Sequence, residues 1–208
     1  MVLKKGILIA IEGIDGSGKS TLAKGLTSRL LQEQIPVILT REPGGTPLGA
    51  YLRKMLQARR DVSICPKAEY LLFAADRAQH VEEVINDALE KNMVVISDRM
   101  GDSSIAYQGF GRGVDIDMIQ TINQWALGGR LPDITIYLRV DSSTALKRRM
   151  ERNSTPTDFE GEEAKFLERV IQGFDSIMKN KEGAIIIDGM QSIDQVVLDA
   201  YNQVCELL

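Results

Sequence analysis

The stretch Ile7-Leu8-Ile9-Ala10-Ile11-Glu12-Gly13-Ile14-Asp15-Gly16-Ser17-Gly18-Lys19-Ser20 decides the fold. Its first six residues form a short, nearly unbroken apolar run, the pattern of a strand buried on both faces. Gly13 to Ser20 then matches GxxxxGK[ST], and between Lys19 and Gln32 the leucines Leu22, Leu26 and Leu30 recur at helical spacing. Strand, glycine-rich turn and helix in that order are the context the motif requires. The glycines let successive backbone N–H groups turn inward onto phosphate oxygens, helped by the positive end of the following helix. Lys19 would reach the β- and γ-phosphates, and the Ser20 hydroxyl would ligate Mg²⁺. The motif says nucleoside triphosphate site; it does not by itself separate a kinase from a GTPase or a motor ATPase.

Outward from this block, the periodic segments alternate strand and helix. Val37 to Thr40, Met93 to Ser97, Ile134 to Val140 and Ala184 to Ile187 read as further strands. Helical patterns lie at about 48–58, 67–91, 115–127, 142–152, 162–179 and 192–207. Alternating βα units with buried strands imply an α/β fold of P-loop NTPase type: three layers, a five-stranded parallel sheet with helices on both faces. The chain reads as one domain, residues 1–208, with a short lid at about 149–162. Such sheets bind ligands at the carboxyl ends of their strands, so the chemistry belongs to the loops after the first four strands.

Composition narrows the function. The 208 residues are 44% hydrophobic and 26% charged, ordinary for a soluble globular chain, and no apolar run is long enough to span a bilayer. The start of the chain does not lead into a secretory segment, and the cytoplasm is the expected compartment. A net charge of −4 argues against nucleic acid as the main partner. The lone histidine, His80, makes a Ser/His/Asp triad or a His-rich metal centre improbable. Cys65 and Cys205 show neither CxxC nor Cys/His grouping and read as ordinary thiols.

Beyond the P-loop, the third strand ends in Ser97-Asp98-Arg99. An acid there can hold the Mg²⁺ hydration shell and an arginine can neutralise transferring phosphate, although a helix-capping Asp and a solvated Arg would give the same sequence. Arg41 to Gly45, Arg53, Arg77 beside Phe73, and Arg148, Arg149 and Arg152 add a set of arginines suited to a second phosphorylated substrate. No NKxD-type guanine-reading sequence is present. Asn153 to Gly161 is polar and preceded by basic residues, the composition of a lid closing over ATP or of a plain surface loop.

Taken together, the P-loop with its Asp15, REPGGT (Arg41 to Thr46), LLFAADRAQH (Leu71 to His80), SDR with SSIAYQG (Ser103 to Gly109) and LPDITIYL (Leu131 to Leu138) resemble, in order and spacing, the bacterial thymidylate kinases. The resemblance covers nearly the whole chain. It implies transfer of the γ-phosphate of ATP to dTMP, with Mg²⁺ as cofactor, in a homodimer that engages neither nucleic acid nor membrane. By position it implies that Gly13, Ile14, Asp15, Gly16, Ser17, Gly18, Lys19, Ser20, Thr21 and Arg149 bind ATP, and that Ser20 and Asp98 hold the metal, the latter through water. For the acceptor, Phe73 would stack on thymine, Arg77 would read a base carbonyl, and Ser104 and Gln108 would add base contacts. Tyr107 would crowd the sugar 2′ position, Arg53 and Arg99 would hold the phosphate, and Asp15 would lie near that phosphate and the 3′-OH. Lys19, Arg99, Asp15 and a lid arginine, Arg152, would be catalytic.

Three places depart from that pattern. Asp158 stands where the lid of relatives has an arginine, Met100 where Tyr or His is common, and Arg139 where the fourth strand ends in Asp or Asn. Gly16 stands where one branch of the family carries a P-loop arginine, which is why the catalytic arginine is expected from the lid. A kinase for another nucleoside monophosphate, or a nucleotide-binding regulator with little turnover, are the alternatives.

Overall fold

The computed structural model describes residues 4–57, 63–152 and 160–208, with residues 152 and 160–162 described by backbone alone. Five strands form one sheet in the order β2-β3-β1-β4-β5, every neighbouring pair parallel: β1 (Ile7–Glu12), β2 (Val37–Arg41), β3 (Val94–Asp98), β4 (Ile134–Arg139) and β5 (Ala184–Asp188). The expected strands are all present, with ends displaced by a residue. The shift follows from pairing: Arg41 and Ile11 both stand opposite Asp98, so the ladder runs one residue past the apolar part of β2 and β3.

Parallel pairing needs crossovers, and the amphipathic helices supply them. Ile7, Ile9 and Ile11 of β1 face α1 (Lys19–Gln32), which buries Leu22, Leu26 and Leu30, and α9 (Ile193–Cys205), which buries Val196, Ala200 and Val204. Each fully buried leucine contributes about 2 kcal/mol of transfer free energy. On the opposite face, Leu8, Ala10 and Val95 meet the helical run after α2 (Pro47–Gln57), which is α3 (Pro66–His80), a π-helical turn (Val81–Ile85) and α4 (Asn86–Glu90). The expected single helix at 67–91 is therefore continuous but carries a π turn. Beyond it, Tyr137 and Val140 meet Leu167, Val170 and Phe174 of α8 (Glu160–Lys179), which follows α7 (Ser142–Arg152).

One element was absent from the sequence reading. Residues 101–111 form a short helix α5 (Gly101–Ser104) that runs on into a π-helical segment, Ile105–Gly111, ahead of α6 (Ile116–Ala126). Its composition, GDSSIAYQGFG, has weak helix propensity. Tertiary contact holds it: Ala106 is fully buried among α8 side chains, Tyr107 packs edge-on to Phe166 and Phe174, and Ile105 lies in a cluster with Tyr70 and Ile119. π-helical segments concentrate at functional sites, and this one carries Tyr107 and Gln108.

Candidate active site

All strands point their carboxyl ends to one edge, so Glu12, Arg41, Asp98, Arg139 and Asp188 end side by side. The P-loop leaves β1 there. Gly13 has φ +145° and Gly16 φ +92°, both outside the range L side chains favour. A Cβ at Gly16 would lie 2.3 Å from the Ala145 carbonyl oxygen, so no side chain fits unless α7 moves. This chain is thus built without room for a P-loop arginine. The backbone N–H groups of Gly16 and Gly18 donate to nothing among the described residues. They are left for an acceptor from outside, as an anion-binding turn requires. Lys19 is 5% exposed and its ammonium donates to the Ile14 carbonyl at 2.8 Å, spanning the loop. Burial, and then the nearby Arg99, pull its pKa down to about 8.

Ser20 Oγ donates to Asp98 Oδ2 at 2.5 Å. A hydroxyl and a carboxylate in contact are hard oxygen donors, the set Mg²⁺ takes, so these residues fit the expected ion. Among the described residues no cluster of three or more His, Cys, Asp or Glu forms a closed metal site.

Arg99 follows with φ +79°, an uncommon conformation for a non-glycine residue. Its N–H is held by the Ile11 carbonyl at 3.0 Å and its own carbonyl accepts from Ser97 Oγ at 2.7 Å. The guanidinium donates to Gly13 O at 3.0 Å, Ser103 Oγ at 2.9 Å and Asp15 Oδ1 at 2.6 Å, and its centre lies 5.0 Å from the Tyr107 ring. The guanidinium beside Asp15 holds that carboxyl well below the usual range. Tyr107 closes the arrangement by accepting from the Asp15 N–H at 2.9 Å, and burial pushes its phenol up to about 12.

A cavity of about 380 Å³ opens from this arrangement, within the range of small-molecule sites. All eight residues expected to hold the acceptor line it: Asp15, Arg53, Phe73, Arg77, Arg99, Ser104, Tyr107 and Gln108. Arg77 is buried, and its guanidinium donates to Glu42 (2.9 Å), Asn123 (2.6 Å), the Met100 carbonyl (3.3 Å) and Ser104 Oγ (3.1 Å), leaving one of five N–H donors. Glu42 also meets His80 Nδ1 at 3.1 Å, and His80 Nε2 meets Thr40 Oγ1 at 2.7 Å. The lone histidine therefore braces the REPGG turn from behind.

A second cavity, about 340 Å³, lies on the other side of the P-loop against Gly16, Ser17, Gly18 and Thr21. The family resemblance leaves two candidates to lie against the adenine, Arg149 and the loop Asp188-Gly189-Met190-Gln191. Arg148 lines this cavity and donates to Ser17 O at 3.2 Å and Gly189 O at 3.0 Å. Arg149, one residue around the helix, lines the first cavity and pairs with Glu163. The loop after β5 borders the second cavity with Gly189 and Gln191. The side chain of Arg152 and residues 153–159, including Asp158, lie outside the described residues, so the lid expectation has no structural counterpart here.

The two other departures are placed. Met100 is buried, and its backbone serves both Glu12 and Arg77. Arg139 forms a two-pronged pair with Asp175 of α8, both contacts 2.9 Å.

Comparison with known proteins agrees with this geometry. The family model described as thymidylate kinase matches residues 11–200. The chain belongs to the thymidylate kinase family. It is 46% identical over 205 residues to the thymidylate kinase of Synechococcus sp. (strain CC9605), covering 95% of this chain and 97% of that one. It is 43% identical over 204 residues to that of Halothermothrix orenii, covering 96% and 97%. The crystal structure of thymidylate kinase from Ehrlichia chaffeensis matches with TM-score 0.78 at 32% identity, over 96% of this chain and 98% of that chain.

Some residues of this thymidylate kinase family site escaped the sequence reading. Glu12 is fully buried and accepts from Met100 N (2.8 Å), Ser103 N (3.3 Å) and Ser103 Oγ (2.5 Å), so it grips the turn that carries Arg99. Glu69 and Arg112 pair at 3.0 Å on the cavity wall. Glu12 was visible only as an acid ending an apolar run, and Glu69 sits in the same helix as Phe73 and Arg77, one turn earlier.

Proposed function

We infer that this protein transfers the γ-phosphate of ATP to dTMP, giving dTDP and ADP. The observation that carries the reading is the convergence of the eight acceptor residues on one cavity whose arginine end reaches the P-loop. Phe73 and the apolar wall offer a stacking surface for a base, while Arg77, Ser104 and Gln108 supply polar contacts at its edge. Tyr107 bars the 2′ side of the sugar. Arg53 and Arg99 hold the acceptor phosphate, with Asp15 beside the 3′-OH.

The phosphate acceptor is already ionised at neutral pH, so no general base is required. Positioning and charge neutralisation carry the reaction, and transfer proceeds in line without a covalent enzyme intermediate. Lys19 and the free N–H groups of Gly16 and Gly18 hold the triphosphate. Ser20 and Asp98 hold Mg²⁺, which when bound neutralises charge on the β- and γ-phosphates. Arg148 replaces Arg149 as the residue beside the adenine, and Arg149 joins the acceptor side. Arg152, the arginine expected from the lid, is assigned the stabilisation of charge on the transferring phosphate.

The test is ADP release from Mg²⁺ATP with dTMP, dUMP, dCMP, dGMP or AMP. Selective release with dTMP is expected. Preference for another monophosphate would overturn the base pocket, and no release with any would favour a regulator. We also propose a homodimer. The resemblance supports it, as do Leu71, Met118 and Trp125, large apolar side chains exposed on the adjoining α3 and α6. Sedimentation should give twice the chain mass, and Trp125→Glu should lower it.

A further inference from the structure

Glu69 stands one helical turn before Phe73 on α3 and is 2% exposed. Its Oε1 accepts from Gln108 Nε2 at 2.8 Å and from Arg112 Nε at 3.0 Å. Arg112 is itself fixed from another side, its guanidinium centre 5.3 Å from the Phe166 ring. A carboxylate beside a guanidinium has only acceptors to offer. The end of the Gln108 amide turned toward Glu69 is therefore the nitrogen. The amide oxygen receives no hydrogen bond from the described residues and is not sealed away from the cavity that Gln108 lines. Gln108 consequently offers an acceptor to a bound base, in a cavity that Arg77, with one N–H donor remaining, also lines.

A donor beside an acceptor matches the edge of an imide pyrimidine, where a carbonyl adjoins a ring N–H. A 4-aminopyrimidine presents the reverse, an amino group beside a bare ring nitrogen. We propose that Glu69 is a specificity-determining positioning residue: by capturing the nitrogen of the Gln108 amide it presents the oxygen to the base, selecting imide pyrimidines over 4-aminopyrimidines. This role rests on the base pocket proposed above. Without Glu69 the amide could turn over and offer a donor.

The test measures kcat/KM for dTMP, dUMP and dCMP with Mg²⁺ATP in the wild type, Glu69→Met, Glu69→Gln, Gln108→Ala and the Glu69→Met/Gln108→Ala pair. Glu69→Met should lower the dTMP-to-dCMP ratio about tenfold, the scale of one buried hydrogen bond, and the dUMP-to-dCMP ratio in parallel. Glu69→Gln keeps an oxygen that Arg112 holds in place, and should retain the ratio within about twofold. In the Gln108→Ala background Glu69→Met should change the ratio less than about twofold, because the residue it acts through is gone. Should Glu69→Met not fold, Glu69→Gln combined with Arg112→Met frees the new amide to face Gln108 either way, and the ratio should then fall severalfold. An unchanged ratio, with both substrates losing activity equally, or an equal shift with and without Gln108, would overturn the role of Glu69 and leave the base pocket standing. A wild type that does not prefer dTMP to dCMP would overturn the pocket itself, and this role with it.

Discussion

Glu12→Gln isolates the cost of a buried acid that the fold uses as a brace. Burial first, and then the nearby Asp102, raise the Glu12 carboxyl from an ordinary 4.5 to about 7. The folded state therefore keeps this proton between about pH 4.5 and 7, where the unfolded chain has lost it. Stability is not reduced by this group below that window, falls as pH rises through it, and carries the whole penalty above about pH 7. Converted at about 1.36 kcal/mol per tenfold difference, the penalty is about 3 kcal/mol. A glutamine amide can keep the geometry: its oxygen accepts from Met100 N and Ser103 N, and its nitrogen donates to Ser103 Oγ, which still accepts from Arg99. Urea unfolding of both proteins between about pH 5 and pH 8 should show the variant gaining about 2.5 kcal/mol on the wild type across the range, since part of the penalty is already present at pH 5. Asp76, raised to about 6 by burial, titrates in both proteins and drops out of the difference. Parallel stability curves would refute the assignment of this slope to Glu12.

Other substitutions separate the proposed roles. Phe73→Ala should raise the KM for dTMP about tenfold or more, with kcat changed much less, since stacking on a base is worth about 1–3 kcal/mol; steady-state kinetics at saturating ATP reads this. Arg148→Met should raise the KM for ATP severalfold without changing that for dTMP, and Arg149→Met should show the reverse bias, because the two side chains line different cavities. Arg152→Ala should lower kcat at least tenfold with little change in dTMP affinity; an unchanged kcat in single-turnover measurements would move the catalytic role to Arg148 or Arg149.

The sequence made the sheet and P-loop legible because both leave local signals: unbroken apolar runs, and glycines where the backbone must approach a ligand. The residues expected at the acceptor cavity came from blocks of fixed order, and all of them line it. What local signals could not carry is pairing at a distance. Nothing near Glu12 announces that it receives three hydrogen bonds from residues about ninety positions later, nor does the weak helix former at 101–111 announce the aromatic side chains of α8 that hold it. Arg148 and Arg149 differ by one position, about 100° around a helix, and composition cannot choose between two such neighbours. The axis of α7 decides it, by turning one arginine to each side of the P-loop.

The cavity also resolves how a chain with net charge −4 can bind a phosphate. Its arginines are mostly matched to acids: Arg77 to Glu42, Arg99 to Asp15, Arg112 to Glu69 and Arg149 to Glu163. Arg53 differs, since it makes no ion pair among the described residues and donates instead to the neutral Pro43 carbonyl at 2.8 Å. Its charge is thus the least compensated on the cavity wall. A phosphate entering there gains a cation without first separating it from a carboxylate, whereas Arg99 must share its donors with Asp15. Arg53→Ala should therefore weaken dTMP binding by about 2 kcal/mol, roughly thirtyfold, as expected for loss of a charge-assisted contact. Thymidine, which has the base and sugar but no phosphate, should bind the variant and the wild type alike in calorimetric titrations. If thymidine binding falls as much as dTMP binding, Arg53 shapes the pocket rather than holding the phosphate, and the least compensated charge lies elsewhere.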